Sequence, residues 1–194
     1  MRTKPSALAP FFRSDAQGKI LAAILLSSQP EQSLTTVARD AGVPLTTVLR
    51  EVDRLQAAGV VTTRKLGQAR LVAPDDAYPL AAPLTQIVAA TYGPLPVVED
   101  AFARLDGVEH VVVFGSWAAR AAGAPGRFPG DVDVLVIGRV NQLDAIERGI
   151  DAGERIGREV NVTVVTPERW QAGDDGFVAD IQSKPYLEIG TSRP

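Results

Sequence analysis

The chain has no cysteine and a single histidine, His110. Without thiols it can form no disulfide, no cysteine-based zinc site and no thiolate nucleophile. One imidazole cannot assemble a histidine metal cage by itself. Long apolar runs are missing too: hydrophobic residues make up 45% of the chain, yet none of their runs approaches the ~20 residues that span a bilayer. Lys4, Pro5, Pro10 and Arg13 break up the N-terminus, so no signal-peptide core can be read there. These absences predict a cytoplasmic chain with no membrane partner. The first ten residues read as loosely ordered, with Phe11 and Phe12 as anchors to a neighbouring surface.

The 194 residues suffice for an adequate core in one large or two small domains. Charge favours two. Residues 1–75 carry ten Lys/Arg against six Asp/Glu, a net +4, whereas residues 76–194 carry ten against seventeen, a net −7. Asp75, Asp76 and Pro79 mark the change, so the expected domains are 1–75 and 76–194.

In the basic part, a helix is predicted over Gly18–Ser27, ended by Pro30. Ser33 is placed to cap a second helix to Ala41, with Leu34, Val37 and Ala38 at the spacing of a buried face. Gly42 stops it and Pro44 opens a third, Leu45–Ala58. At about 100° per residue, Leu45, Val48, Val52 and Leu55 share an inward side, while Thr46, Thr47, Arg50 and Arg54 face away. Gly59 closes the helix, and Val60–Val72 reads as a hairpin whose tip gathers Arg64, Lys65, Gln68 and Arg70. Helix, helix, tight turn, helix and basic hairpin resemble the winged helix-turn-helix of ArsR- or MarR-like transcription regulators. The resemblance implies double-stranded DNA as partner and a homodimer on a two-fold operator. Thr46, Thr47, Arg50 and Arg54 would face bases and phosphates, and Arg64, Lys65, Gln68 and Arg70 the backbone. The alternative is a protein-docking or dimerisation module whose charges are solvated.

In the acidic part, helices are predicted over Leu80–Tyr92 and Leu95–Leu105. Two Val/Ile-rich strands follow, the first ending in Gly115-Ser116 and the second opening with Asp131-Val132-Asp133. Side chains at i and i+2 share a strand face, so the two carboxylates stand together and repel unless a cation lies between them. Mg²⁺ suits such a pair, because it takes one or two carboxylates plus water and phosphate oxygens. Asn141 is placed to cap a further helix, with Leu143, Ile146 and Ile150 inward, and a strand over Glu159–Val165 follows.

A strand ending Gly-Ser, then a helix, then a strand bearing Asp-x-Asp resembles the nucleotidyltransferase fold of the DNA polymerase beta superfamily, above all its minimal, MNT-like members. The resemblance covers Leu80 to the C-terminus. It implies a nucleoside triphosphate (NTP) held at Gly115, Ser116 and Arg120, with Mg²⁺ on Asp131 and Asp133. Arg120 also reads as a surface ion-pair residue. Active relatives add a third acid from a later strand. Asn161 stands at its place here, with Glu159 two residues earlier on the same strand face. His110, Trp117 and Trp170 read as structural. The expected fold class is therefore α+β, a winged helix-turn-helix followed by a nucleotidyltransferase-like mixed sheet with packed helices. The expected function is a DNA-binding regulator with a nucleotide-binding domain. By resemblance it would be antitoxin-like, with a HEPN-like toxin or another protein as partner. The alternative is an active transferase that moves a nucleoside monophosphate onto protein, RNA or a small molecule.

Overall fold

The computed structural model describes residues 12–189. The expectations for the first ten residues and for Phe11 fall outside that range. The fold is α+β, and the chain divides into two compact units, Met1–Gly93 and Pro94–Pro194. Among the described residues no helix is long and apolar enough to cross a membrane.

In the first unit the elements run α1 (Asp15–Leu25), β1 (Gln32–Ser33), α2 (Leu34–Ala41), α3 (Leu45–Ala57), β2 (Val61–Leu66), β3 (Ala69–Pro74) and α4 (Ala81–Tyr92). Local chemistry sets the boundaries. Ser14 and Ser33 cap α1 and α2 by accepting from the Gln17 and Thr36 amides. Gly42, at φ +62°, ends α2 in the left-handed conformation that a side chain resists. The strands form an antiparallel sheet in the order β1-β3-β2. Ile20, Ile24, Val37, Val48, Val52 and Val72 fill the core at 0–1% exposure.

The first compact unit runs on through α4, which packs on α1, to Gly93. Tyr92 lies so close to Gly18 that a Cβ there would sit 2.1 Å from its ring, and Phe12 meets the same ring edge-on at 5.2 Å. Leu45, placed inward by periodicity, is 42% exposed, since the buried face of α3 is Val48, Glu51, Val52 and Leu55. Glu51 belongs to that face because Arg13 (2.8 Å), Gln17 (2.7 Å) and Arg54 (3.3 Å) all donate to its carboxylate.

The second unit runs α5 (Leu95–Phe102), β4 (Val108–Phe114), α6 (Gly115–Ala121), β5 (Asp131–Gly138), α7 (Gln142–Ile156), β6 (Glu159–Val165), α8 (Pro167–Ala172), α9 (Gly176–Gln182) and β7 (Leu187–Ile189). The sheet order is β6-β5-β4-β7. Strands β5 and β6 are parallel across α7, and β4 is antiparallel to both of its neighbours. One sheet face packs Val112, Leu135, Ile137 and Val165 against Ile181 and Trp170. The other presents Val132, Val134 and Val136, all fully buried.

Helix α7 corrects the expectation of inward Leu143, Ile146 and Ile150, which are 70%, 39% and 59% exposed. Its buried residues are Ala145, Gly149, Ala152 and Gly153. A Cβ on Gly149 would stand 2.4 Å from Val162 Cγ2, and one on Gly153 would stand 2.8 Å from the Arg158 carbonyl oxygen. Close backbone approach to β6 thus selects glycine and alanine for the packed face and leaves the aliphatic side chains outside.

Candidate functional site

Strand β5 opens with Asp131 and Asp133 on the face that Leu135 and Ile137 continue into the core. Parallel register sets Glu159 opposite Asp131 and Asn161 opposite Asp133. Aligned residues of paired strands share a face, so all four polar side chains lie on one side of the sheet. The Asn161 amide nitrogen donates to Asp131 Oδ2 at 3.2 Å and to Asp133 Oδ1 at 3.3 Å. It stands between the carboxylates, where the repulsion of the pair calls for positive charge. Among the described residues no three His, Cys, Asp or Glu side chains form a group able to hold a metal ion, and Asn161 occupies the place beside the pair.

From the neighbouring strand, Phe114 faces Asp133 across the ladder, and Gly115 follows at φ +70°. A Cβ at Gly115 would meet Asp133 Oδ2 at 2.4 Å, so any side chain there would have to displace that carboxylate. Ser116 is exposed at the start of α6. Arg120 does not stand free: its Nε donates to the Arg127 carbonyl at 3.0 Å, and Arg158 donates to the Pro129 carbonyl. The two arginines tie down the connection between α6 and β5. Trp117, 1% exposed, supports it from within by packing on Phe128 at 5.3 Å.

Burial, the largest cause, and the Asp131 charge raise the Asp133 carboxyl above its usual 3.8, while the Asn161 hydrogen bond opposes them. A raised folded-state pKa means that ionisation costs stability. The cost is nil below pH 3.8, where folded and unfolded forms are both protonated, and complete above the folded value. Asp133→Asn is therefore expected to raise the melting temperature at pH 7, with the gain fading to nothing below pH 3.8. A variant that melts lower than wild type at pH 7 would contradict this account.

Two adjoining carboxylates such as Asp131 and Asp133 are donors of the kind that a divalent cation would take from protein. Turning the Asn161 amide would replace its NH₂ by a carbonyl oxygen, an acceptable third donor.

In the first unit, Thr46, Thr47, Arg50 and Arg54 all lie on α3, and Arg64, Lys65, Gln68 and Arg70 on the β2–β3 hairpin. They are not equally available. Arg64 is held by both carboxylate oxygens of Glu31, one contact measuring 2.7 Å. Arg70 reaches Asp53 at 2.6 Å and Gln56 at 2.8 Å, and Arg54 reaches Glu51. Arg50 and Lys65 are exposed and without an ion-pair partner among the described residues. Partners such as Glu31, 33 residues from Arg64, leave no local signal in the sequence.

No protein-family model matches the chain, and comparison with curated proteins finds no match either.

Proposed function

We propose that this protein is a DNA-binding transcription regulator: its first unit is a winged helix-turn-helix, and its second is a nucleotidyltransferase-like domain that binds Mg²⁺ and a nucleoside triphosphate. The observation that carries the reading is the outward face of α3, with Thr46 and Arg50 exposed beside a hairpin bearing Lys65 and Arg64. Helix α3 is the element that enters the major groove, and the hairpin lies along phosphates. The order α1, β1, α2, α3, β2, β3 and the β1-β3-β2 sheet support it.

The ion pairs make the DNA prediction specific. Arg50 is free to bind, so Arg50→Ala should weaken binding to the protein's own upstream DNA roughly tenfold, one good contact's worth. Arg64 must first leave Glu31, so Glu31→Gln should strengthen binding and steepen its salt dependence. Fluorescence anisotropy over a salt series measures both. Equal affinity for random and upstream DNA would remove the regulator reading.

A second reading, an active nucleotidyltransferase, is favoured by Asp131 and Asp133 beside Gly115. These carboxylates would hold Mg²⁺, which when bound supplies charge stabilisation to phosphate oxygens. Gly115 keeps the approach to Asp133 open. The reaction would join a hydroxyl oxygen of a HEPN-like toxin or another acceptor to the α-phosphorus, break the α–β phosphoanhydride bond and release pyrophosphate. With Asn161 in place of an acid, Glu159, aligned with Asp131 on the same sheet face, is the further carboxylate that would receive the hydroxyl proton. Calorimetry of each nucleoside triphosphate with Mg²⁺ tests the shared premise. Metal-dependent binding is expected in wild type and its loss in Asp131→Asn with Asp133→Asn; equal binding by both proteins would take these aspartates out of the site.

A further inference from the structure

The apolar side chains that α7 leaves outside form a directed stripe. At about 100° per residue, Leu143, Ile146 and Ile150 share one line, roughly a quarter-turn from the buried Ala145, Gly149 and Gly153. Arg155, on the opposite flank, pairs with Asp100 of α5 at 2.9 Å. The stripe therefore points away from α5 and out past β6. Strand β6 ends its sheet, and among the described residues its outer edge pairs with no strand. Its seven residues, Glu-Val-Asn-Val-Thr-Val-Val, include no proline and no lysine to discourage pairing. A strand added there, about 4.8 Å from β6, would have one face covered by Leu143, Ile146 and Ile150.

We propose that this edge binds, as a fifth strand, an extended segment of another protein that is apolar at alternate positions and basic between them. A second copy of this chain fits poorly. Gly149 and Gly153 bring α7 directly over β6, so pairing two β6 strands would set two α7 helices about 4.8 Å apart. Packed helices need about 8–10 Å. Charge selects the same occupant. Asp144, Glu147, Asp151 and Glu154, all exposed, border the stripe on its solvent side, and exposed Glu159 begins the strand. A copy would set the α7 carboxylates against themselves, whereas Lys or Arg at the intervening positions of a partner strand, which face the other side of the sheet, would meet Glu159 there. Backbone hydrogen bonds would supply affinity, and the stripe would select the apolar positions.

The probe is a displayed library of random twelve-residue peptides, selected on the full chain with Leu143→Glu, Ile150→Glu as counter-target. Both positions are exposed, so the variant should keep the wild-type circular dichroism and melting temperature. The expected result is enrichment of alternating apolar and basic peptides that bind the variant at least tenfold more weakly. They should also slow hydrogen exchange at amides of Val160 to Val164. Three results would overturn the proposal: no enrichment over the variant, peptides that protect amides elsewhere, or a wild-type dimer that the two glutamates dissociate.

Discussion

Gly115→Ala is expected to destabilise the second unit by about 2–5 kcal/mol. About 1–2 kcal/mol comes from holding an L-residue in the left-handed region, where Gly115 sits at φ +70°. Another ~1–3 kcal/mol comes from overpacking, because the new Cβ would lie 2.4 Å from Asp133 Oδ2. Gly157→Ala separates the two contributions. Gly157 has nearly the same φ, +72°, but nothing within 4 Å of a built Cβ, so it should lose only about 1–2 kcal/mol. Urea denaturation of both variants measures the difference. Adding Asp133→Ala to Gly115→Ala should recover the steric part and none of the backbone part, which a double-mutant cycle reports as coupling. Equal losses at Gly115 and Gly157 would mean that the carboxylate moves aside freely. A displaced Asp133 would also withdraw from any bound cation, so nucleotide binding should fall with stability.

The helix and strand boundaries were legible because they are set locally. Ser33 caps and Gly42 stops helices, and the alternation of Glu159 to Val165 marks a strand, all from chemistry within a few residues. The candidate acid site was legible for the same reason: parity alone put Asp131 and Asp133 on one face, and Asn161 with Glu159 on another strand's face. Register, which parity cannot supply, then set Asn161 against Asp133.

Features decided by distant partners were not legible. The 3.6-residue pattern of Leu143, Ile146 and Ile150 promised a buried stripe, but the choice of face fell to Gly149 and Gly153, whose missing side chains let α7 approach β6. Hydrophobicity was outweighed by proximity. In the first unit, Arg64 and Arg70 looked like available cations, yet Glu31 and Asp53 reach them from other elements. Leu45 misled in a related way: Glu51 took part of the inward face because Arg13 and Gln17 of the neighbouring segment satisfy its charge.

Asn161→Asp is expected to have opposite effects with and without metal. In metal-free protein it removes the amide that donates to Asp131 and Asp133 at 3.2 and 3.3 Å and puts a third carboxylate in its place. Hydrogen bonds to charged groups are worth about 1.5–3 kcal/mol each. These two are long and solvent-exposed, so their loss together with the added repulsion should cost about 2–3 kcal/mol. Three adjoining carboxylates then form a stronger cation site than two. Binding to the folded state alone stabilises it by RT ln(1 + [L]/Kd), about 2.7 kcal/mol at a hundredfold excess over Kd. Saturating Mg²⁺ should therefore return the variant close to wild-type stability, while the wild type gains less. Melting temperature against Mg²⁺ concentration reads both effects without any knowledge of a substrate. If Asn161→Asp melts with wild type in the absence of metal, the amide contributes nothing to holding the pair together. If it loses stability and Mg²⁺ restores none of it, the face that carries Asp131 and Asp133 is not a cation site, and the nucleotide reading of the second unit falls with it.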